Sequence, residues 1–568
     1  MKSIYIFIFL ISFILSCSTL KRTKIPVNSF DKRDTSELVL QNWYHKDYRQ
    51  DAIPGISLEK FYKQNKKKSR STTVIVAVID TQIDTEHEDL KGQMWINRKE
   101  IRNNGIDDDH NGYIDDINGW NFLGTLSGES LLWANFEHTR IVREWNSIFQ
   151  GKEFAEISFQ DRSKYKEYSR AFKKLENENI HYKNWLKTVS QIATIYPLIE
   201  DTLKHFFPKE DYTLKKLDSV YKKYKINDKA YKQRLVDNDM DLGALIDYMM
   251  SMLEVNLKSL SEIKDAETQL DSIVNKNLNL YFDERTRLGD NPKTLEKGYG
   301  NKNISITKVG QIPVQDHATK VSGIIAGNRE NNIGIRGIAQ KVKIMPLNIS
   351  TSGDEHDKDI ALAIRYAVDN GAKVINMSFG KEFSLHKEWV FEAFQYAERH
   401  NVLLVHGAGN NNFNIDENPF YPIDVAYDGT DEVSTNFINV GSISPKLDTT
   451  FVSTFSNYGK QNVDLFAPGD KIYSTSVGNT YKSDSGTSLA GPMVAGAAAL
   501  IWSYHPKLTA TEVKQIILDS GTAYDIDVLI PGEEGKTIKF SELSKSGKVL
   551  NVYDAMELAK KVSKNKLL

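Results

Sequence analysis

Apolar residues in this chain fall into long unbroken runs and into helical stripes. Thr73–Asp80 is a β-branched, apolar run with no alternation, and it ends in an acid. Such a run predicts a parallel strand covered on both faces. Val374–Met377 leads into Ser378-Phe379-Gly380, and Val402–Val405 leads into His406-Gly407-Ala408-Gly409-Asn410, so both repeat the form of an apolar strand ending in small polar residues. From Asp484 to Ile501 a tight polar turn gives way to small and apolar residues without a charge. A helix apolar all round belongs in the middle of a large core. His317 similarly heads a short apolar segment that runs to Gly327.

Between residues 125 and 304 the pattern changes. Glycine becomes rare. Tyr165, Tyr168, Phe172 and Leu175 follow helical spacing, as do Leu186, Val189 and Ala193, and then Leu242, Leu245, Met249 and Met252. Pro197, Pro208 and Pro292 mark expected helix boundaries. This region reads as an insertion of several helices whose aromatic and methionine stripes form its own core. Thr509–Ser520 is a further helical pattern with Thr509 as its cap.

Composition narrows the class. With 568 residues the chain is long enough for more than one domain. Hydrophobic residues make up 40% and charged residues 26%, the balance of a globular protein. A net charge of −2 argues against a nucleic-acid partner. The single cysteine, Cys17, excludes an internal disulfide and a cysteine nucleophile in a chain that begins there.

The chemistry lies at the ends of the apolar runs. Active groups gather at the carboxyl ends of parallel strands, which is where Asp80 and Asn410 fall. A helix N-terminus offers unpaired N–H groups to a negative oxygen, and Ser488 stands at one. The order Asp80, His317, Ser488, each at the edge of an apolar element, resembles the subtilisin-like serine proteases, or subtilases. The resemblance covers residues 71–124 and 305–562. It implies a discontinuous catalytic domain over those residues. The implied fold is α/β, a mainly parallel sheet with helices on both faces, interrupted by the helical insertion at 125–304.

The same resemblance implies a triad of Asp80, His317 and Ser488, with Asn410 as an oxyanion donor. It implies that Ser378, Phe379, Gly380, Ala408 and Gly409 bind the extended backbone of a polypeptide substrate. Gln82 and Ala318 stand where the family has glycine, and Lys320 where it has histidine. Gly491 and Met493 replace a commoner alanine and histidine. Gln82, Ala318 and Lys320 keep a second reading open, a weak or inactive scaffold that binds polypeptides without cutting them. An esterase of the α/β-hydrolase kind has a different nucleophile turn and residue order. His406 reads as a packed histidine.

No cofactor is required for such chemistry, and a structural calcium is the candidate ion. Asp107, Asp109, Asn111 and Asp115 alternate around Gly112 in the manner of a calcium loop, without a closing glutamate. Asp89 is a further candidate, because some subtilases use the matching acid.

At the N-terminus, Lys2 precedes an apolar run from Ile4 to Leu15, too short for a bilayer span. Ile14-Leu15-Ser16-Cys17 resembles a bacterial lipoprotein signal, so residues 1–17 are expected to be a signal peptide with Cys17 carrying lipid. That implies export and attachment to the cell envelope, in the outer membrane on its periplasmic or surface side. Residues 18–70 read as a tether whose aromatic residues can pack on the catalytic domain, and 563–568 as a basic tail. The insertion, lying between Asp80 and His317, is expected to shade the groove. Oligomeric state and side-chain preference are not legible.

Overall fold

The computed structural model describes residues 41–65, 71–426 and 431–566. The expected signal peptide, Cys17 and the first part of the expected tether lie outside the described residues. Two compact units divide the described residues: His138–Phe282 in one, and those up to Glu137 together with those from Asp283 onward in the other.

The second unit is built on a nine-stranded sheet. From one edge to the other its strands are Thr522–Ala523, Lys548–Val549, Leu465–Pro468, Phe437–Ile443, Leu403–Gly407, Val374–Met377, Val74–Asp80, Val342–Asn348 and Trp120–Asn121. Neighbours pair parallel throughout except Thr522–Ala523 with Lys548–Val549, which is antiparallel. Val74–Asp80 lies centrally, with Asp80 level with Asn348. Successive side chains of a strand point to opposite faces, and here both faces are dry. Val76 and Val78 join one apolar cluster with the helices His317–Ala326, Thr487–Tyr504, Ala510–Ser520 and Val552–Asn565. Ala77 and Ile79 join the other, with the helices Asp357–Asp369 and Lys387–Arg399. The unbroken apolar run of the strand is thus explained, and the fold is the α/β architecture expected.

Thr509 caps the Ala510–Ser520 helix, and Glu512 completes a reciprocal capping box.

Over its described part the tether packs on the sheet unit, as its aromatic side chains allow. Residues 41–65 form three short helical turns that belong to the core, with Trp43 and Tyr44 each 1% exposed. The Trp43 indole donates to the carbonyls of Asp470 and Lys471, and the Tyr44 hydroxyl to that of Tyr473. Large apolar side chains scattered among lysines drive this arm inward. The Val552–Asn565 helix takes in Ser563, Lys564 and Asn565, so the basic tail is partly helical.

The insertion is narrower than 125–304. Residues 125–137 and 283–304 fold with the sheet unit. Trp120 Nε1 donates to the Tyr299 carbonyl at 2.9 Å, and Asn121 and Asn301 exchange backbone hydrogen bonds. Arg285, buried, pairs with Asp290 at 2.5 Å and Asp359 at 2.7 Å, while Lys358 reaches Asp290 at 2.9 Å. An isolated charge here would be costly, so the returning segment closes on mutually satisfied partners.

The helical unit centres on one helix, Arg162–Lys204, which buries Tyr168, Leu175, Val189, Ile192, Tyr196 and Leu203 among its residues. The helices Leu242–Glu254 and Leu260–Ser272 pack on it. Pro197 sits within the long helix and does not end it, contrary to the boundary expected there. It forfeits one helical hydrogen bond, which the packing of Tyr196 and Ile199 on either side outweighs.

Candidate active site

Asp80 ends its strand at the carboxyl edge of the sheet, with the Thr81 N–H on Oδ1 at 2.7 Å. His317 opens its helix opposite. Its Nδ1 lies 2.8 and 2.9 Å from the two Asp80 oxygens. Asp80 is 1% exposed and the His317 side chain 23%, so the pair is dry on one side and open on the other. Burial opposes a charged imidazole, but the neighbouring Asp80 outweighs it and holds the His317 pKa above the ordinary value. Nδ1–H donating to Asp80 leaves the Nε2 lone pair free to accept a proton.

In the Thr487–Tyr504 helix every residue is buried except Ser488 and Tyr504. Ser488 is therefore the opening in an otherwise sealed first turn. The strand Leu403–Gly407 approaches so closely that a Cβ on Gly407 would lie 2.8 Å from the Thr487 carbonyl and 3.2 Å from the Ser488 nitrogen. Asn410 follows that strand. Its Oδ1 accepts from the Thr487 N–H at 2.8 Å and the Thr487 hydroxyl at 3.0 Å, which leaves Nδ2 as the outward donor. A point one Cβ bond from Gly486 lies 2.9 Å from Ser488 Oγ and 3.6 Å from Asn410 Nδ2, so both face the same space. Thr487 was not singled out in the sequence, where it reads only as the nucleophile's neighbour.

Pro492 has no N–H, so the Ser488 carbonyl lacks its partner one turn along the helix. The Ser378 hydroxyl donates to that carbonyl at 2.9 Å and itself accepts from Asn376 Nδ2 at 2.9 Å. Among the described residues, no hydrogen bond joins Ser488 to His317. Catalytic hydrogen bonds are commonly long in a free site and tighten around substrate.

The expected substrate-binding residues divide into two sets. Among the described residues, the N–H and C=O of Gly380 make no internal hydrogen bond, so this edge is available to a strand. The polar backbone groups of Ala408 and Gly409 are used within the fold. The Ala408 N–H donates to Val440 and its carbonyl accepts from Asn457, while the Gly409 N–H donates to Thr487 Oγ1. They form a buried floor whose polar groups serve the fold. The Phe379 carbonyl accepts from His406 at 2.7 Å. His406 is packed as expected, and burial pushes its pKa down to about 4.

The departures have local explanations. Gln82 Nε2 donates to the carbonyls of Asn303 and Ser305 at 2.9 and 3.3 Å. Ala318 buries its methyl and donates its N–H to Thr81 Oγ1 at 3.2 Å. The Lys320 ammonium lies between Asp316 at 3.1 Å and Asp484 at 2.6 Å.

The acidic loop is rearranged relative to the expected set. Glu100, Asp107 and Asp109 each offer a carboxylate oxygen within 4.8 Å of the others. Asp115 takes positive φ and turns to Lys302, 2.9 Å away, and to the N–H groups of Asn104 and Gly105. Asn111 spends its amide on Asp116 and its oxygen on the Tyr113 N–H. Neither joins the cluster. Glu100 lies outside the alternating pattern, and nothing in the sequence marks it. Among the described residues no lysine or arginine pairs with these three acids, and their hard oxygens fit calcium in kind. Asp89 is buried and accepts from Asn331 Nδ2 at 2.7 Å and the Ile335 N–H at 2.8 Å.

Comparison with known proteins agrees with this geometry. The cell wall-associated protease of Bacillus subtilis (strain 168) is 36% identical over 221 residues, 39% of this chain and 23% of that protein. The thermophilic serine proteinase of Bacillus sp. (strain AK1) is 38% identical over 191 residues, 34% of this chain and 43% of that protein. Subtilisin DY of Bacillus licheniformis is 33% identical over 208 residues, 36% of this chain and 70% of that protein. The chain thus spans less than half the length of the first two relatives. Residues 71–529 match the profile described as the Subtilase family. By that match across most of its length, with a parallel sheet beneath it, the chain belongs to the subtilase family.

Proposed function

We propose that this chain is a serine endopeptidase in which Ser488 is the nucleophile, His317 the proton carrier and Asp80 its orienting carboxylate. The observation that carries the proposal is the Asp80–His317 pair at 2.8 Å, its carboxylate buried and its imidazole half-buried, at the carboxyl edge of the sheet from which the half-buried Ser488 opens its helix. Asp80 fixes the tautomer. His317 Nε2 takes the Ser488 proton as Oγ attacks the scissile carbonyl carbon. Asn410 Nδ2 and the Ser488 N–H hold the oxygen that becomes negative. His317 then gives its proton to the departing amine, and water hydrolyses the acyl-enzyme by the same route. Main-chain pairing along Ser378-Phe379-Gly380 supplies affinity that reads little of the substrate's side chains.

The test is labelling with a fluorophosphonate, which reacts only with an activated serine, and cleavage of denatured casein. Wild type should react in both assays and Ser488→Ala in neither. Casein cleavage by Ser488→Ala at the wild-type rate overturns the assignment. The scaffold reading rests on Gln82, Ala318 and Lys320; the local contacts of each support the enzymatic reading instead.

Two further parts belong to the proposal. A structural calcium is held by Glu100, Asp107 and Asp109 and contributes to stability, not to the reaction. The protein is exported and lipid-anchored through Cys17, so Cys17→Ala should move it out of the membrane fraction.

A further inference from the structure

We propose that Lys320 is a positioning residue that registers the His317 helix against the turn carrying Ser488. This rests on the triad reading above. Lys320 lies one turn after His317, and its side chain is 2% exposed. The ammonium meets Asp316, the residue before His317, at 3.1 Å and Asp484, four residues before Ser488, at 2.6 Å. One buried cation therefore joins the element that presents the base to the element that presents the nucleophile. Asp484 spends its other oxygen on the Ser485 N–H at 2.8 Å, which holds the turn itself. From its far side the turn is fixed by Ser485 Oγ on Asp470 at 2.7 Å and the Gly486 N–H on Gly469 at 2.8 Å. Asp484 is thus the side chain through which this turn is tied to the His317 helix.

The same charges face His317. Asp80 comes from the central strand, Asp316 and Lys320 from its own helix and cap, and Asp484 and Lys482 from the hairpin Ile472–Asp484. Lys482 lies 3.6 Å from Asp316. Lys320 disfavours the imidazolium and Asp484 favours it. Their removal must move the titration of His317 in opposite directions, while a purely structural clamp would move neither. Lys320 is too buried to touch substrate, so its effect belongs in kcat and not in KM.

The experiment compares wild type, Lys320→Met and Asp484→Asn on a short peptide substrate from pH 5 to 9. Asp484→Asn keeps the oxygen that serves Ser485. Hydroxyl bonds from Ser474 and Thr475 to the carbonyls of Lys320 and Thr319, at 2.7 and 2.6 Å, hold hairpin to helix in its absence. Both variants should lose kcat by about 10- to 100-fold with KM unchanged. The acid limb of kcat/KM should rise in Lys320→Met and fall in Asp484→Asn, each by about one pH unit at most. If Lys320→Met does not fold, the downward shift in Asp484→Asn decides alone. Unmoved limbs, or limbs moving the same way, overturn the proposal while fluorophosphonate labelling of wild type leaves the triad standing. A wild type that takes no label overturns both.

Discussion

The hydroxyl of Ser378 donates to the carbonyl of Ser488 at 2.9 Å, the carbonyl that Pro492 leaves without a helical partner. A proline one turn after the nucleophile thus transfers the anchoring of that residue from its own helix to the neighbouring strand end. Ser378→Ala strands a buried carbonyl, at a cost of about 1–3 kcal/mol. Urea unfolding in a Ser488→Ala background, which removes self-digestion, measures it. Adding Pro492→Ala restores an N–H and should recover part of the loss. Equal stability of Ser378→Ala and its parent would remove the anchoring role.

Asn410 has two tasks that substitution can separate. Asn410→Asp keeps the oxygen that accepts from Thr487 and loses the donor. Loss of one such donor costs about 10²–10³ in kcat in a subtilisin, a member of the same family. The aspartate variant should show that loss with KM and melting temperature near wild type. Asn410→Ala should show the same kinetic loss with a lower melting temperature, because Thr487 is also released. A wild-type kcat in the aspartate variant would exclude Asn410 from the oxyanion site.

His317 sets a pH dependence whose sign is fixed by Asp80. The folded pKa lies above the ordinary value of 6.5. Activity should therefore rise with pH, with the acid midpoint above 6.5, as Nε2 loses its proton. Stability runs the other way. A folded pKa above the unfolded one adds stability below pH 6.5, and that increment is lost as pH rises through the folded pKa. Imidazole proton NMR on the Ser488→Ala variant reads the titration directly, and a midpoint below 6.5 would contradict the Asp80 pairing.

Calcium should raise the melting temperature of the wild type, since an ion bound only by the folded state stabilises it by mass action. Asp107→Asn with Asp109→Asn should abolish that rise. Asp115→Asn should keep it, because Asp115 serves Lys302. That pair joins a buried carboxylate to an exposed lysine, apart from the acid cluster. Calorimetry with calcium and with a chelator distinguishes the three proteins, and an equal response in all would place the ion elsewhere.

What was legible in the sequence is what burial writes into it. A strand covered on both faces must be apolar throughout, so Val74–Asp80 announced itself. A helix sealed along its length must be small and apolar, so the setting of Ser488 was equally plain. Polar networks leave no such trace. Arg285, Tyr299 and Asp359 read as ordinary surface residues, yet they close the returning end of the insertion, and its limits were placed too wide for that reason. The arm at Trp43 has elements of three, four and seven residues, too short to show a period. The acidic loop failed differently. Alternating spacing is a rule about side chains in a regular turn, and the left-handed backbone at Asp115 breaks it.

The early and late ends of the described chain meet. Gln64 accepts from the Tyr553 hydroxyl across 489 residues, and the Val552 N–H bonds to Ile56. A ribosome delivers these partners 489 residues apart. The arm has nothing to close against until the last helix emerges, and Asp80 waits through 237 residues for its histidine. Closure of the arm is therefore a late event in the folding of the sheet unit. On the proposed reading, a product that stops short of Ser488 would lack its nucleophile.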